Sequence, residues 1–257
     1  MSRFGNLEFE SSHEGESHEC DSAHGEAYYI ASAIKAFESA EFEKSLRWFA
    51  KVLEFNPQSS AAWVGQVRSL IELGEFREAV LWADKALERF PQEPELFAAK
   101  GVAQGRDGKL EEAIALSDTS IEERGDTPYI WLARADVLLA RKEARADYCF
   151  DKALAIAPGD WVVPWLAARI RHYYKQITVA VKLLQIALER NTTHFLLWLE
   201  LGNCQLALGM TGLAERSFNE ARQLNPDCFE ARLALSRVAA TGFWSRVCGV
   251  WRQIFER

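Results

Sequence analysis

The chain has 257 residues, 49% hydrophobic and 26% charged, enough to build a substantial core in one or two domains. Its formal charge of −7 is uneven, because residues 1–26 hold seven acids (Glu8, Glu10, Glu14, Glu16, Glu19, Asp21, Glu26) against Arg3, leaving 29 bases and 30 acids in 27–257. A nearly neutral body excludes a dedicated nucleic-acid binder, which needs a Lys/Arg surplus gathered on one face to meet phosphates.

Residues 1–26 contain no apolar run behind a basic start, and nowhere in the chain do eighteen apolar residues follow one another. The chain therefore reads as a soluble cytoplasmic protein. His13, His18, Cys20 and His24 stand among carboxylates in 11–26, all metal-ligand types. Their spacing fits no defined metal module and the segment has almost no apolar residues, so 1–26 reads as a disordered acidic tail with no metal. Such a tail is able to lie over a basic groove of its own or another chain.

From residue 27 a period near 34 sets in. The stretches 41–57, 75–91, 143–158 and 212–226 share one helical pattern and end at Pro57, Pro91, Pro158 and Pro226. With Gly125 and Thr192 at the intermediate nodes, the steps are 34, 34, 33, 34 and 34. Ahead of each stretch lies a second helical pattern opened by a large aromatic: Tyr29, Trp63, Phe97, Trp131, Trp165 or Trp198. Between the two, Leu73-Gly74, Asp107-Gly108 and Leu208-Gly209 signal turns in which glycine takes the left-handed conformation that ends a helix. Each unit is thus helix, turn, helix and a break, the break marked by a proline that lacks an N–H and disfavours helix in the residue before it.

These units resemble the tetratricopeptide repeat family. Its pattern of Trp, Leu-Gly and an aromatic, then Ala, Phe, Ala and Pro is matched best in 195–226, by Trp198, Leu201, Gly202, Ala214, Phe218, Ala221 and Pro226, with Gln205 in the aromatic slot. The unit 60–91 matches through Trp63, Gly74, Ala79, Ala83, Ala86 and Pro91; the units 94–126 and 161–193 match least. The resemblance implies an all-α fold, a right-handed solenoid of stacked antiparallel helix hairpins over 27–241, with about six full repeats and a truncated seventh.

The last unit departs from the usual polar cap. After Gly242, a stripe of Trp244, Val247, Trp251 and Ile254 recurs at helical spacing, widened by Cys248 and Phe255 and flanked by Arg246, Arg252 and Arg257. Residues 242–257 read as an amphipathic capping helix whose Trp244, Trp251 and Phe255 are available for self-association or a partner, with membrane contact a lesser reading.

No GxSxG, Gly-rich phosphate loop or HExxH occurs, so no enzyme, cofactor or small-molecule substrate is expected. The five widely spaced cysteines form no CxxC pair and read as reduced thiols. His172 and His194 read as structural.

In the resembled family the first helix of each unit lines a concave surface. Carried over, its positions are Ile30, Ile34 and Phe37; Val64, Arg68 and Ile71; Ala98 and Val102; Leu132, Asp136 and Leu139; Trp165, Arg169 and His172; and Leu199, Asn203 and Leu206. The family's clamp for the carboxylate end of chaperone tails uses Lys, Asn and Arg, where this chain has Ile30, Ile34, Gly65, Glu95 and Ala99. That clamp is not expected here. An apolar stripe dotted with Arg68, Asp136 and Arg169 suits a helix or extended segment with hydrophobic anchors, part of the stripe being internal packing between first helices. The function read from this is a non-enzymatic scaffold or adaptor for another protein. The alternatives are a chaperone-like holder of a hydrophobic segment of a secreted or assembling subunit, or a recruiting subunit of a separate enzyme.

Overall fold

The computed structural model describes residues 25–123 and 126–239. They hold helices α1 (Glu26–Glu38), α2 (Phe42–Phe55), α3 (Ser60–Glu72), α4 (Phe76–Arg89), α5 (Pro94–Arg106), α6 (Leu110–Glu122), α7 (Pro128–Ala140) and α8 (Ala146–Ile156) in one compact unit. A second unit, from Pro158, holds α9 (Val162–Tyr173), α10 (Ile177–Arg190), α11 (Phe195–Ala207) and α12 (Thr211–Leu224), followed by a helical segment over 229–239, α13. No strand occurs among the described residues. The helices pair as hairpins, and each hairpin packs on the next within its unit, so the all-α stacked-hairpin architecture expected from the repeats is the one observed.

The hairpin turns are nearly identical. Gly74, Gly108 and Gly209 have φ of 80°, 89° and 76°, as their turn signals predict. At the same lattice position in the other three turns stand Ala40, Lys142 and Lys175, with φ of 56°, 61° and 63°. A side chain in this region costs roughly 1–2 kcal/mol, so packing of the two helices imposes the turn even where no glycine offers it. Its hydrogen bonds repeat as well: Gly74 N–H donates to Ile71 O, and Glu75 N–H to Leu70 O, tying up the last carbonyls of α3.

Between hairpins the breaks are built from caps. Asn56, extended at φ −137°, precedes Pro57; its side-chain oxygen accepts from Gln58 N–H. Ser59 and Thr127 cap α3 and α7 by accepting from Ala62 N–H and Ile130 N–H, and Pro94 and Pro128 sit at the helix starts. Two of the signature tryptophans bind these breaks directly. Trp63 Nε1 donates to Pro57 O at 3.0 Å and Trp198 Nε1 to Thr192 O at 2.9 Å, six residues back in each case. The tryptophans therefore lock first helices to the break that precedes them.

The core of the first unit joins Leu46, Phe49, Val52, Trp63, Leu70, Trp82 and Leu96 around the fully buried Ala79, Ala83 and Ala86, which let the helices close in. Within it a chain of hydroxyls crosses three helices: Ser69 Oγ lies 3.2 Å from Ser45 Oγ, and Ser45 Oγ donates to Ala33 O at 2.9 Å. In the second unit Trp165, Leu184, Leu197 and Phe218 are buried, and Ser217 Oγ bonds Gln205 Oε1 at 2.8 Å in the interior.

Candidate functional site

In the first unit α1, α3, α5 and α7 are the first helices of successive hairpins, each touching the next. A flat row would set α3 and α7 roughly 16–20 Å apart, twice the usual interaxial distance. Yet the Arg68 guanidinium of α3 lies with its carbon 4.0 Å from the centroid of the Tyr129 ring of α7, and 5.0 Å from that of Phe37 of α1. One side chain reaches rings on both sides, so α1, α3 and α7 share one inner face, the hollow of this unit. Small buried residues line α5, Ala98, Ala99, Ala103 and Gly105 among them, and a Cβ at Gly105 would stand 3.8 Å from Val137 Cγ2 and 3.9 Å from Ala140 Cβ, so α5 closes tightly on α7.

That closure decides where the stripe residues fall. Val64, Ile71, Ala98, Val102, Leu132, Asp136 and Leu139 are buried, packed between first helices. Ile34 is 45% exposed, Ile30 and Arg68 are half-buried, and Phe37 keeps only an edge at the surface. Of the first unit's stripe, Ile30, Ile34 and Arg68 thus keep the most exposed surface, with half-buried Tyr129 against Arg68. Sequence reasoning passed over Tyr129, although it stands three residues before Leu132 on the same helical face.

The electrostatics of the hollow are partitioned. Asp136 is taken by Arg106 of α5 in an ion pair of 2.6 Å, and Glu95 accepts from Thr127 Oγ1 at 2.7 Å. Arg68 instead lies against rings, and its five N–H groups meet no acceptor among the described residues. Burial pushes the Tyr129 hydroxyl well above its ordinary value, so it stays protonated and a donor.

In the second unit the stripe is bound differently. Trp165 is fully buried and donates from Nε1 to Glu200 Oε2 at 2.8 Å, while Arg169 Nη1 meets Glu200 Oε1 at 2.6 Å and lies over the Trp165 ring. Trp165 is thereby removed from the surface, and Glu200 of α11, absent from the sequence-derived set, holds α9 and α11 together. Leu199 is buried, Leu206 half-buried, and His172 and Asn203 are exposed. Partial desolvation of its ring, with the Lys175 and Arg169 charges adding to it, lowers the pKa of His172.

Trp244, Trp251 and Phe255 lie outside the described residues, as do the tail residues His13, His18, Cys20 and His24. Among the described residues no three His, Cys, Asp or Glu side chains gather as metal ligands, and no helix is long and apolar enough to cross a membrane.

The tetratricopeptide repeat model matches residues 30–94, which span α1 to α4 and the start of α5. No curated protein matches the sequence. Among solved structures, a thermophilic tetratricopeptide repeat protein of Thermus thermophilus, TTC0263, aligns over 71% of this chain and 100% of its own, at 18% identity and a TM-score of 0.54. A chain of the Cut9-Hcn1 hetero-tetramer of the APC/C aligns over 83% of this chain at 18% identity and a TM-score of 0.50. This chain spans 42% of that one, less than half its length. At such identities the likeness is one of fold.

Proposed function

Because the chain is a tetratricopeptide-repeat protein, we propose that it is a non-enzymatic adaptor that holds a segment of a partner protein in the hollow of its first unit. The observation that carries this reading is Arg68. A guanidinium is a planar fork built to pair with carboxylates, and in most packed settings it finds one. Here it lies over the rings of Phe37 and Tyr129 and has no ion pair among the described residues, and Ile34 on α1 is exposed. An apolar shelf around one preset cation suits a peptide or helix with hydrophobic anchors and an acidic side chain.

The test compares the native chain with Arg68→Ala and Ile34→Asp. Proteins retained by the native chain and released by both variants are identified by affinity capture, and the purified partner is then titrated directly. We expect about tenfold weaker binding for each variant, as for loss of one charge-assisted hydrogen bond or one anchor, with helicity unchanged. Equal affinity for all three chains overturns the reading.

A further inference from the structure

We propose that α13 carries a second docking face, apart from the hollow, that takes an acidic amphipathic helix of a partner protein. It lies in the second unit and is independent of Arg68.

The face follows from how the helix is buried. Cys228, Ala231, Ala234 and Val238 are buried, which sets one side of α13 against its own unit and turns the opposite side outward. On that outward side Phe229 is 61% and Leu233 37% exposed, and the exposed Ser236 stands next in line. Steps of four and then three residues are those of a coiled-coil seam, with Phe229 and Ser236 at d positions and Leu233 at an a position. A phenylalanine left so open adds little to the core of its own unit, whereas in such a seam it is a knob for a facing helix.

The charges beside the seam define what fits it. In the same register Arg232 is a g position and Arg237 an e position, one on each flank, and side chains at these positions choose the partner through ion pairs between helices. Both are exposed, and neither guanidinium has an ion pair or hydrogen bond among the described residues. Elsewhere in the unit Arg169, Arg171, Arg190 and Arg222 all donate to oxygens of the chain. The single acid of 229–239, Glu230, accepts from the Cys228 thiol at 3.5 Å. It stands two residues from Arg232 and seven from Arg237, not at the spacing of three or four that would let it pair with either along the helix. The face thus offers two arginines against one carboxylate.

Charge also decides between occupants. Two parallel copies joined through this seam would set Arg232 of one against Arg237 of the other, since a g position meets the e position five residues on. Residues 240–257 hold three arginines against Glu256 and bring no surplus of acid. A partner helix with apolar a and d positions and Glu or Asp at e and g answers both arginines while covering Phe229 and Leu233.

The test uses the full chain with a photoreactive benzophenone amino acid in place of Phe229, and two synthetic helices of about three heptads with Leu at a and d. One carries Glu at every e and g position, the other Gln. Illumination should join the Glu helix to the chain about tenfold more than the Gln helix, as for charge-assisted bonds to two arginines. Arg232→Ala and Arg237→Ala combined should abolish that preference; both side chains are exposed, so the double variant keeps its fold, which circular dichroism checks. Arg68→Ala should leave the yield unchanged, because the hollow is not involved. Equal yields from the two helices, a preference that survives the double variant, or a yield that falls with Arg68→Ala overturns the proposal. So does a photoadduct formed in preference within the chain, between two chains, or with phosphatidylserine vesicles offered beside the Glu helix.

Discussion

Arg106 of α5 and Asp136 of α7 form a buried ion pair between neighbouring first helices. Nη2 and Nε of Arg106 donate to Asp136 Oδ2 at 2.6 and 3.1 Å, and the two side chains are 6% and 2% exposed. The buried pair ties α5 to α7, the helix whose Tyr129 ring reaches Arg68 of α3.

Removing one member leaves the other charge buried without its main counterpart, at a cost of about 3–5 kcal/mol. Asp136→Ala and Arg106→Met should each lower the unfolding free energy by that amount in urea titrations. The double variant Arg106→Met with Asp136→Leu should lose far less than the sum, because it removes both charges together. Additive losses would mean that the two residues act independently.

How the stripe divides between hollow and interior shows what a periodic pattern can and cannot convey. A spacing of 34 identifies the first helices, and of the stripe read from it Arg68 is half-buried and Ile34 exposed. It does not distinguish a residue facing the hollow from one facing the next first helix, since both lie within one turn on the same side. Asp136, Leu132 and Trp165 fall on the second side because α5 is made of small residues and because Glu200 captures the Trp165 indole, both features of other helices. The turns carry the same lesson. Glycine announces three of them, while Ala40, Lys142 and Lys175 adopt the same left-handed backbone through tertiary packing, which leaves no local trace.

Glycine matters most where a ring lies on the helix. A Cβ at Gly202 would stand 2.5 Å from Phe218 Cε1 and 2.7 Å from Cδ1, and one at Gly65 would run into the ring of Phe49. Gly202→Ala and Gly65→Ala should each destabilise by about 1–3 kcal/mol through overpacking, despite the 0.5–1 kcal/mol or so that alanine adds to helix propensity. Gly212→Ala, where a Cβ meets open space, serves as the reference and should be neutral or slightly stabilising. Thermal unfolding of the three variants separates these effects, and equal melting temperatures would refute the close approach.

The cysteines offer a chemical check of the cores. Cys149, Cys204 and Cys228 are buried and free, and burial, with the Glu200 charge adding to it, pushes the Cys204 thiol up to about 12. The thiolate is the nucleophile, so these groups should be inert in the native state. In a chain with Cys20→Ser and Cys248→Ser, a disulfide-exchange reagent at about pH 8 should find almost no reactive thiol until denaturant is added, and then three. Rapid native reaction at Cys204 would contradict the packing of α11 on α12.

His194 gives the second unit a pH dependence. Its ring lies 4.5 Å from Trp161 and 5.9 Å from Phe195 between centroids, and burial lowers its pKa from the ordinary 6.5. The neutral imidazole is thus favoured in the folded state, while the unfolded chain takes up its proton near 6.5. Below that pH the unfolded state binds more protons, so stability falls as the pH drops through the folded value and is recovered above 6.5. The melting temperature should therefore decrease from about pH 7.5 to about pH 5.5, and His194→Phe should flatten that slope while His172, lowered in the same sense, maintains the remainder. A His194→Phe chain whose melting temperature tracks that of the native chain at every pH would remove His194 from the titration and assign the slope to other groups.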